Sequence, residues 1–498
     1  MASYSIAVSV EGTSIDKYPA KQHARRVAAR LSSRDALIYL PGQQTVLSED
    51  SDQATHFKQR RYFFYLTGVV EPDCHVTYDV AADRLTLYVP DFDFKRTIWT
   101  GPTLGVDEAR QRYDVDRVEY FSSLEGDVQR WTADNPSSLV YILHPDQRPV
   151  TPLTVAYRYD QKSLQHAMDA CRVIKDEHEI GLIQRANDVS AAAHRAVLSR
   201  LRHMKNEAEI AGIFIDVCLS MGSRGTAYET IAASGANGAT LHYTHNNEPL
   251  AGRQMVVLDA GSEWHCYASD VTRSFPIPSL SHHILGDDSS SSSKSPWPSR
   301  EAEQIYSIVQ RMQEECISQV KEGALFFSIH QHAHSIALHE LLKLGILRIP
   351  HGATKSDLVK AEVTALFFPH GLGHHLGLEV HDVSPDSGTI PLTSQCLDGL
   401  MSVTEHRPPC TLSAPPLASG MVITVEPGIY FNKLAIEQAK ADRHKPGAKG
   451  RFVDFDVAER YLDVGGVRIE DDVLVTRDGS RNLTTAPKGR EMLSIIYS

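Results

Sequence analysis

Asp259, Asp270, His374, Glu426 and Glu470 are four carboxylates and one imidazole, carried by four short stretches of the C-terminal half. The stretches are VVLDAG (256–261) running on to YASDVTRSF (267–275), PHGLGHHLGLEVHD (369–382), TVEPGIY (424–430) and GGVRIEDD (465–472). Each sets its acid or imidazole in a strand-like apolar run or a glycine-rich turn. Four carboxylates and one imidazole can hold two divalent ions if some of the carboxylates bridge.

Taken singly, each member has an ordinary explanation. Asp259 and Asp270 are eleven residues apart with Gly261 between them, which fits adjacent strands of a hairpin. An Asp buried in MVVLDAG must be hydrogen-bonded, paired or bound to a cation, and a structural turn aspartate would satisfy that as well. His370, His374, His375 and His381 lie among Gly371, Gly373 and Gly377, which argue against a regular helix and for close approach of backbone to a site. His370 and His374 therefore need not be a helical metal pair of the H-E-x-x-H kind. Alternation puts Arg468 and Glu470 on one strand face and Asp471 on the other, so a plain salt bridge is an alternative there. His330 and His334 have i, i+4 spacing, but no acid nearby completes a site, and they are expected to face solvent.

The elements that must position these groups are legible in part. Residues 1–170 read as α/β. A basic, Ala-rich helix covers 21–31, ALIYLPG (36–42) and RYFFYLTGV (61–69) read as strands, CHVTYDVAADRLTLYVPDFD (74–93) as a hairpin, and SLVYILH (138–144) as a further strand. Tyr65, Tyr88 and His144 form no cluster with catalytic spacing, so this region reads as a scaffold. Beyond a polar boundary near 160–175, Ile180, Ile183, Ala186, Val189, Ala193 and Val197 keep a helical period. Asn206 with Glu209 resembles a capping box before the next helix, and Gly222 a stop. Strand-like stretches follow, including LHYTH (241–245). SLSHHILGDDSSSSSKSPWPS (279–299) is low-complexity and reads as a surface loop. Ser299 opens a helix that Gly323 is expected to close, a second helix follows, and the remaining strands carry His374, Glu426 and Glu470. Helix, helix, strands thus occurs twice, near 176–275 and 299–475, as in a duplicated α+β unit with its site between the halves.

A chain of 498 residues is too long for one core, so two domains are expected, 1–170 and 171–498. The net charge of −12 and the lack of a basic run argue against nucleic-acid or anionic-membrane partners. Seven scattered cysteines without C-x-x-C spacing fit a reducing compartment. With no apolar leader and no run of about 18 apolar residues, the expectation is a soluble, cytoplasmic protein.

In order and framing, the four stretches closely resemble the aminopeptidase P and prolidase group of metallopeptidases, relatives of methionine aminopeptidase and creatinase. The resemblance implies an α+β chain: a creatinase-like α/β N-terminal domain and a pita-bread catalytic domain of duplicated α+β units. It implies that Asp259, Asp270, His374, Glu426 and Glu470 bind two divalent metal ions, with Asp270 and Glu470 bridging, Asp259 on one ion, and His374 and Glu426 on the other. An oxygen-rich set of this kind suits Mn(II), with Co(II) or Zn(II) as alternatives. The implied reaction is attack of a metal-bridged hydroxide on the bond between an N-terminal residue and a penultimate proline, with Glu426 shuttling the proton to the leaving nitrogen.

Further residues follow from the same resemblance. LHYTH looks like the family's LHY segment, which makes His242 a counterpart of its histidine. His242 and His381 would line the proline pocket and steady the tetrahedral intermediate, and His370 would support the oxyanion or the ligands. Arg468 would orient Glu470, and Tyr430 is a weaker candidate. RYFFYLTGV and KRTIWTGP (95–102) look like the family's N-terminal domain, and a homodimer is implied. The full ligand set argues against creatinase and against a non-catalytic binding protein, and an N-terminal domain of about 170 residues argues against methionine aminopeptidase. Between aminopeptidase P and prolidase, which takes dipeptides only, the stretch NKLAIEQAKADRHKPGAKGRF after Glu426 favours aminopeptidase P. The chain departs from the family in its long 279–299 loop and in SPDSGTIPLTSQCLDGLMSVTEHRPPC (384–410), where relatives continue with a glycine-rich HDVGG-type segment bordering the site.

Overall fold

The structure, a computed structural model, describes residues 9–10, 13–14, 17–147, 158–278, 295–384, 410 and 412–498. The 279–294 part of the serine-rich segment and residues 385–409 after the HDV motif lie outside the described residues. The chain divides into two compact units between His178 and Glu179.

The N-terminal unit is built on a six-stranded mixed sheet, in the order Arg117–Tyr120, Arg84–Val89, His75–Asp79, Ala36–Pro41, Leu139–Tyr141, Arg158–Asp160. Ala36–Pro41 is buried at every position, as a continuous apolar run in a covered central strand should be. It pairs antiparallel with His75–Asp79, which forms the expected hairpin with Arg84–Val89. RYFFYLTGV departs from expectation: Arg61–Thr67 is a helix. Residues 63–67 are buried, so the run has no polar face to reveal a helical period, and a short apolar stretch is ambiguous on pattern alone. Gly68, left-handed at φ 67°, ends it by donating to the Phe64 carbonyl.

In the C-terminal unit the helix pair Glu177–Arg200 and Glu207–Ser220 precedes one set of strands, and Arg300–Ile317 and Phe326–Lys343 precede another. The first set is a three-stranded antiparallel sheet, Thr272–Pro276, Met255–Asp259, Ile231–Ser234. The second comprises a sheet of Val422–Val425, Asp471–Val475 and Ser480–Asn482, and the pair Gly428–Tyr430 with Gly466–Arg468. The predicted helix period from Ile180 to Val197 is buried at all six positions. Asn206 caps its helix through Ala208 N, but Glu209 reaches back to Lys205 N instead of to the cap residue. The helix opened by Ser299 ends at Ile317, six residues before Gly323. Residues 241–245 are a turn and irregular backbone, not a strand.

His330 is buried, 3% exposed, contrary to the solvent-facing expectation. It falls on the stripe of Phe326, Ile329, Ala333 and Ala337 that the helix turns inward. His334, half-buried, stacks on Phe368 with ring centroids 4.6 Å apart.

Candidate metal centre

Asp259 is the last residue of its strand and pairs across the sheet with Thr272, two residues beyond Asp270. The hairpin connecting them narrows to a small ribbon, Glu263–Trp264 against Tyr267–Ala268, turned by left-handed His265 and Cys266. Gly261 makes this possible: a Cβ there would lie 1.8 Å from the Ser269 carbonyl oxygen. The two aspartates are then joined by a residue the sequence did not flag. Tyr228 Oη lies 2.6 Å from Asp259 Oδ1 and 2.6 Å from Asp270 Oδ1. One hydroxyl proton cannot serve both acceptors at once, so the two carboxylates and the phenol share a single buried polar cluster. Tyr228 stands 31 residues before Asp259, and no local pattern marks it.

Glu426 and Glu470 sit at a paired break between two sheets. Val425 registers with Asp471 and Gly428 with Arg468, so residues 426–427 and 469–470 lie opposite one another where the strand pair passes from one sheet to the next. The single GGVRIEDD strand expected from alternation is thus interrupted at Glu470. Freed from the ladder, Glu470 accepts from Thr272 Oγ1 at 2.7 Å through Oε2. Its Oε1 is buried and has no hydrogen-bond partner among the described residues.

His374 lies on an extended segment running beside Val422–Val425. Thr424 N donates to the His374 carbonyl and Glu426 N to that of Leu372, and a Cβ on Gly373 would lie 2.0 Å from the Thr424 carbonyl oxygen. The imidazole donates from Nδ1 to the His375 carbonyl at 3.0 Å. That leaves Nε2 facing Asp270 Oδ2 at 3.4 Å and Glu426 Oε1 at 3.3 Å. His381, exposed, meets the His374 ring edge-to-face at 4.3 Å.

Candidate ligand atoms thus fall into overlapping groups: Asp259, Asp270 and Glu470; His374, Glu426 and Glu470; and Asp270, His374 and His381. Atoms within each group lie within 4.8 Å of one another. The electrostatics reflect crowded negative charge. Burial, with Asp270, Glu426 and Asp259 around it, pushes the Glu470 carboxyl well above the usual range. Burial also raises Asp259, which Arg468 partly offsets, to about 6. Burial opposes charge on His374, but hydrogen bonds to Asp270 and Glu426 outweigh it and carry it up to about 10. Burial would raise Glu426 too, yet the hydrogen bond and charge of His374 hold it at about 2.

The site fits a divalent metal. Four carboxylates, Asp259, Asp270 and Glu470 buried and Glu426 partly so, face one guanidinium and one imidazole, a surplus of negative charge that a cation would relieve. The unpartnered Glu470 Oε1, and His374 Nε2 lying between Asp270 and Glu426, are ligand atoms of the right chemistry.

Beside the candidate ligands runs a directional hydrogen-bond chain. Arg468 donates from Nη2 to Asp259 Oδ2 at 2.6 Å, from Nε to Thr272 Oγ1 at 3.1 Å and from Nη1 to Tyr430 Oη at 2.9 Å. Arg468 thus hydrogen-bonds Asp259 directly and meets Glu470 through Thr272 and through its charge. Tyr430 Oη in turn lies 2.8 Å from His370 Nε2, and His370 Nδ1 donates to the Gly371 carbonyl at 2.8 Å. Burial lowers His370 to about 4, so it is a neutral acceptor of the Tyr430 proton. His370 belongs to none of the candidate ligand groups. His242 is exposed and near enough to His370 for its charge to oppose that of His370.

Comparison with known proteins identifies the family. Residues 181–477 match the model for metallopeptidase family M24, and residues 20–141 that for the aminopeptidase P N-terminal domain. The chain is 80% identical to a probable Xaa-Pro aminopeptidase of Arthroderma gypseum, over the whole of both chains. It is 54% identical to one of Coccidioides posadasii, over 99% of this chain and 96% of that one. Aminopeptidase P from E. coli with the inhibitor Pro-Leu superposes with a TM-score of 0.72 at 24% identity, over 97% of this chain and 99% of that one, a likeness of fold. The chain belongs to the M24 metallopeptidases, in the aminopeptidase P family, with that family's N-terminal domain and pita-bread fold.

Proposed function

We propose that this chain is an Xaa-Pro aminopeptidase, releasing an N-terminal residue that precedes proline, with Asp259, Asp270, His374, Glu426 and Glu470 holding two divalent ions. The observation that carries the reading is the overlap of the ligand groups. Glu470 belongs to a group on each side, and Asp270 reaches both Asp259 and His374, which supports bridging roles for these two carboxylates. The identity to relatives named probable Xaa-Pro aminopeptidases supports the substrate. In this reading residues 1–170 are scaffold and 171–498 carry the catalysis.

When bound, two such ions would supply Lewis acidity and a water acidified enough to act as nucleophile near neutral pH. Mn(II) suits the oxygen-rich donor set, with Co(II) or Zn(II) as alternatives. The chain's own residues do the rest. Glu426, with 16% of its side chain exposed against 7% for Asp270, is the carboxylate best placed to hand a proton to the leaving nitrogen. Proline's nitrogen carries no hydrogen in the peptide, so recognition falls on shape and on the exposed imidazoles of His381 and His242. Arg468 and Tyr430 fix Asp259 on one side and His370 on the other.

The reading includes a homodimer and a cytoplasmic location. Helix Phe94–Thr100 has no buried residue and presents Phe94, Ile98 and Trp99 outward, which supports an association surface. Six buried free cysteines among the described residues support a reducing compartment, and no helix among them is long and apolar enough to cross a membrane. Hydrolysis of an Xaa-Pro dipeptide and an Xaa-Pro-Xaa tripeptide, measured side by side in Mn(II), tests the proposal. Cleavage of the tripeptide is expected. Cleavage of the dipeptide alone would make the enzyme a prolidase, and cleavage of neither would point to a binding protein.

A further inference from the structure

Glu207 begins the helix Glu207–Ser220, and its side chain is fully buried. A carboxylate taken out of water needs its acceptor positions filled. Here the hydrogen-bond donors all come from residues 234–248, and Arg253 Nη1, beyond the loop, adds an ion pair to Oε1 at 3.6 Å. Oε1 accepts from Ser234 N (2.8 Å), Ser234 Oγ (2.6 Å) and Asn237 Nδ2 (3.0 Å). Oε2 accepts from Tyr243 Oη (2.8 Å) and Glu248 N (3.0 Å), while Glu207 N donates back to the Glu248 carbonyl. Burial works against the charge, and these hydrogen bonds outweigh it, holding the carboxyl below its ordinary value.

The grip is distributed in an informative way. Ser234 closes the strand Ile231–Ser234, Glu248 lies at the far end of the loop, and Tyr243 is the neighbour of His242. One side chain therefore clamps both ends of residues 234–248 and the middle. The opposite side of the loop lies on the strand bearing Arg468. A Cβ on Gly466 would be 2.2 Å from the Gly238 carbonyl oxygen, and Asn432 Nδ2 donates to the Ala239 carbonyl at 3.2 Å. His242, although exposed, is thus carried by a loop fastened from below by Glu207 and from the side by the site's own backbone.

We propose that Glu207 is a positioning residue for His242: it fixes the loop so that this exposed imidazole is pre-set toward the substrate before binding. A long exposed side chain gains catalytic value only if the backbone beneath it does not move, since small displacements of a positioned group are costly to rate. The proposal rests on the reading of His242 as a substrate-facing residue.

A double-mutant cycle on the full-length protein loaded with Mn(II) tests it, using His242→Ala, Glu207→Gln and the double variant. Gln keeps the size but loses one carboxylate oxygen and the charge. Glu207→Gln is expected to lower kcat/KM for an Xaa-Pro tripeptide by about tenfold, with bound metal unchanged, and the double variant to be no slower than His242→Ala alone. Losses that multiply would overturn the proposal, because Glu207 would then act independently of His242. So would an impaired His242→Ala beside a fully active Glu207→Gln. A fully active His242→Ala would instead remove the premise, a failure of the substrate-facing reading that the cycle registers separately. If Glu207→Gln does not fold, judged by its melting curve, Tyr243→Phe takes its place in the same cycle. It withdraws one donor beside His242, and the same non-additivity is expected.

Discussion

Arg468 and Asp259 form a buried ion pair, with Nη2 2.6 Å from Oδ2, although 209 residues separate them. The same guanidinium spans Tyr430 and Thr272 with its other nitrogens. Its planar fork is what allows three partners to be held at fixed angles. Arg468→Lys keeps the charge but not the fork. It is expected to retain metal and lose activity by about 10- to 100-fold, the usual cost of disturbing a ligand's supporting partner. Steady-state kinetics with metal analysis checks this, and Arg468→Lys at full activity would show that the fork is dispensable.

Tyr228 separates two acids that would otherwise repel. Tyr228→Phe removes the only atom hydrogen-bonded to both Asp259 and Asp270 among the described residues. Metal affinity should fall about tenfold or more while the far-ultraviolet spectrum is unchanged. Calorimetric titration of metal into the stripped protein reads the affinity directly.

The surplus of clustered carboxylates makes a cation a folding ligand. Adding a divalent ion at about 100 times its dissociation constant should stabilise the C-terminal unit by about 2.7 kcal/mol. Melting curves with Mn(II) and with a chelator test this. Asp270→Ala should abolish activity, lower the metal content and reduce the shift, and an Asp270→Ala variant that kept two ions and full activity would sink the assignment.

Gly373 has no room for a side chain. Gly373→Ala brings a methyl against the Thr424 carbonyl, a contact with backbone that cannot rotate away. Displacement of the segment should cost about 1–3 kcal/mol and move His374 off its position. The measurable result is a lowered melting temperature together with reduced metal content, and a variant with neither would show that the segment can shift freely.

His75 sets a pH dependence in the N-terminal unit. It is buried and accepts or donates a hydrogen bond with Tyr39 Oη at 2.9 Å, and burial lowers its pKa to about 4. Unfolding restores a value near 6.5, so between about pH 6.5 and 4 the unfolded chain binds the additional proton. The stabilisation is therefore present above about pH 6.5 and is lost as pH falls through that window, by up to about 3 kcal/mol. His75→Gln, which can still bond Tyr39, should show a shallower acid-side fall in stability across the same window.

The candidate ligand set was legible because each member lies in a short motif whose neighbours are themselves constrained. Gly261 and Gly373 are required because a Cβ at either would lie 1.8 or 2.0 Å from a backbone carbonyl oxygen. Apolar alternation and helical periodicity likewise identified the hairpin at His75–Val89 and the long helix through Ile180. The errors fell where one local pattern serves two structures. RYFFYLT is buried on nearly all sides, so helix and strand look alike, and His330 lies on an inward stripe despite its polarity.

What the amino-acid sequence determined by itself was the family, the five ligand candidates and their order along the chain. Tertiary structure alone decided which atoms meet. Tyr228, Thr272 and Glu207 have no local signature, because their roles arise from contacts with residues 31, 198 and up to 41 positions away. The paired break that frees Glu426 and Glu470 is a property of two strands passing together between sheets, and neither strand announces it alone. Motifs encode the chemistry of each group, whereas distances across a buried site depend on packing that couples distant parts of the chain.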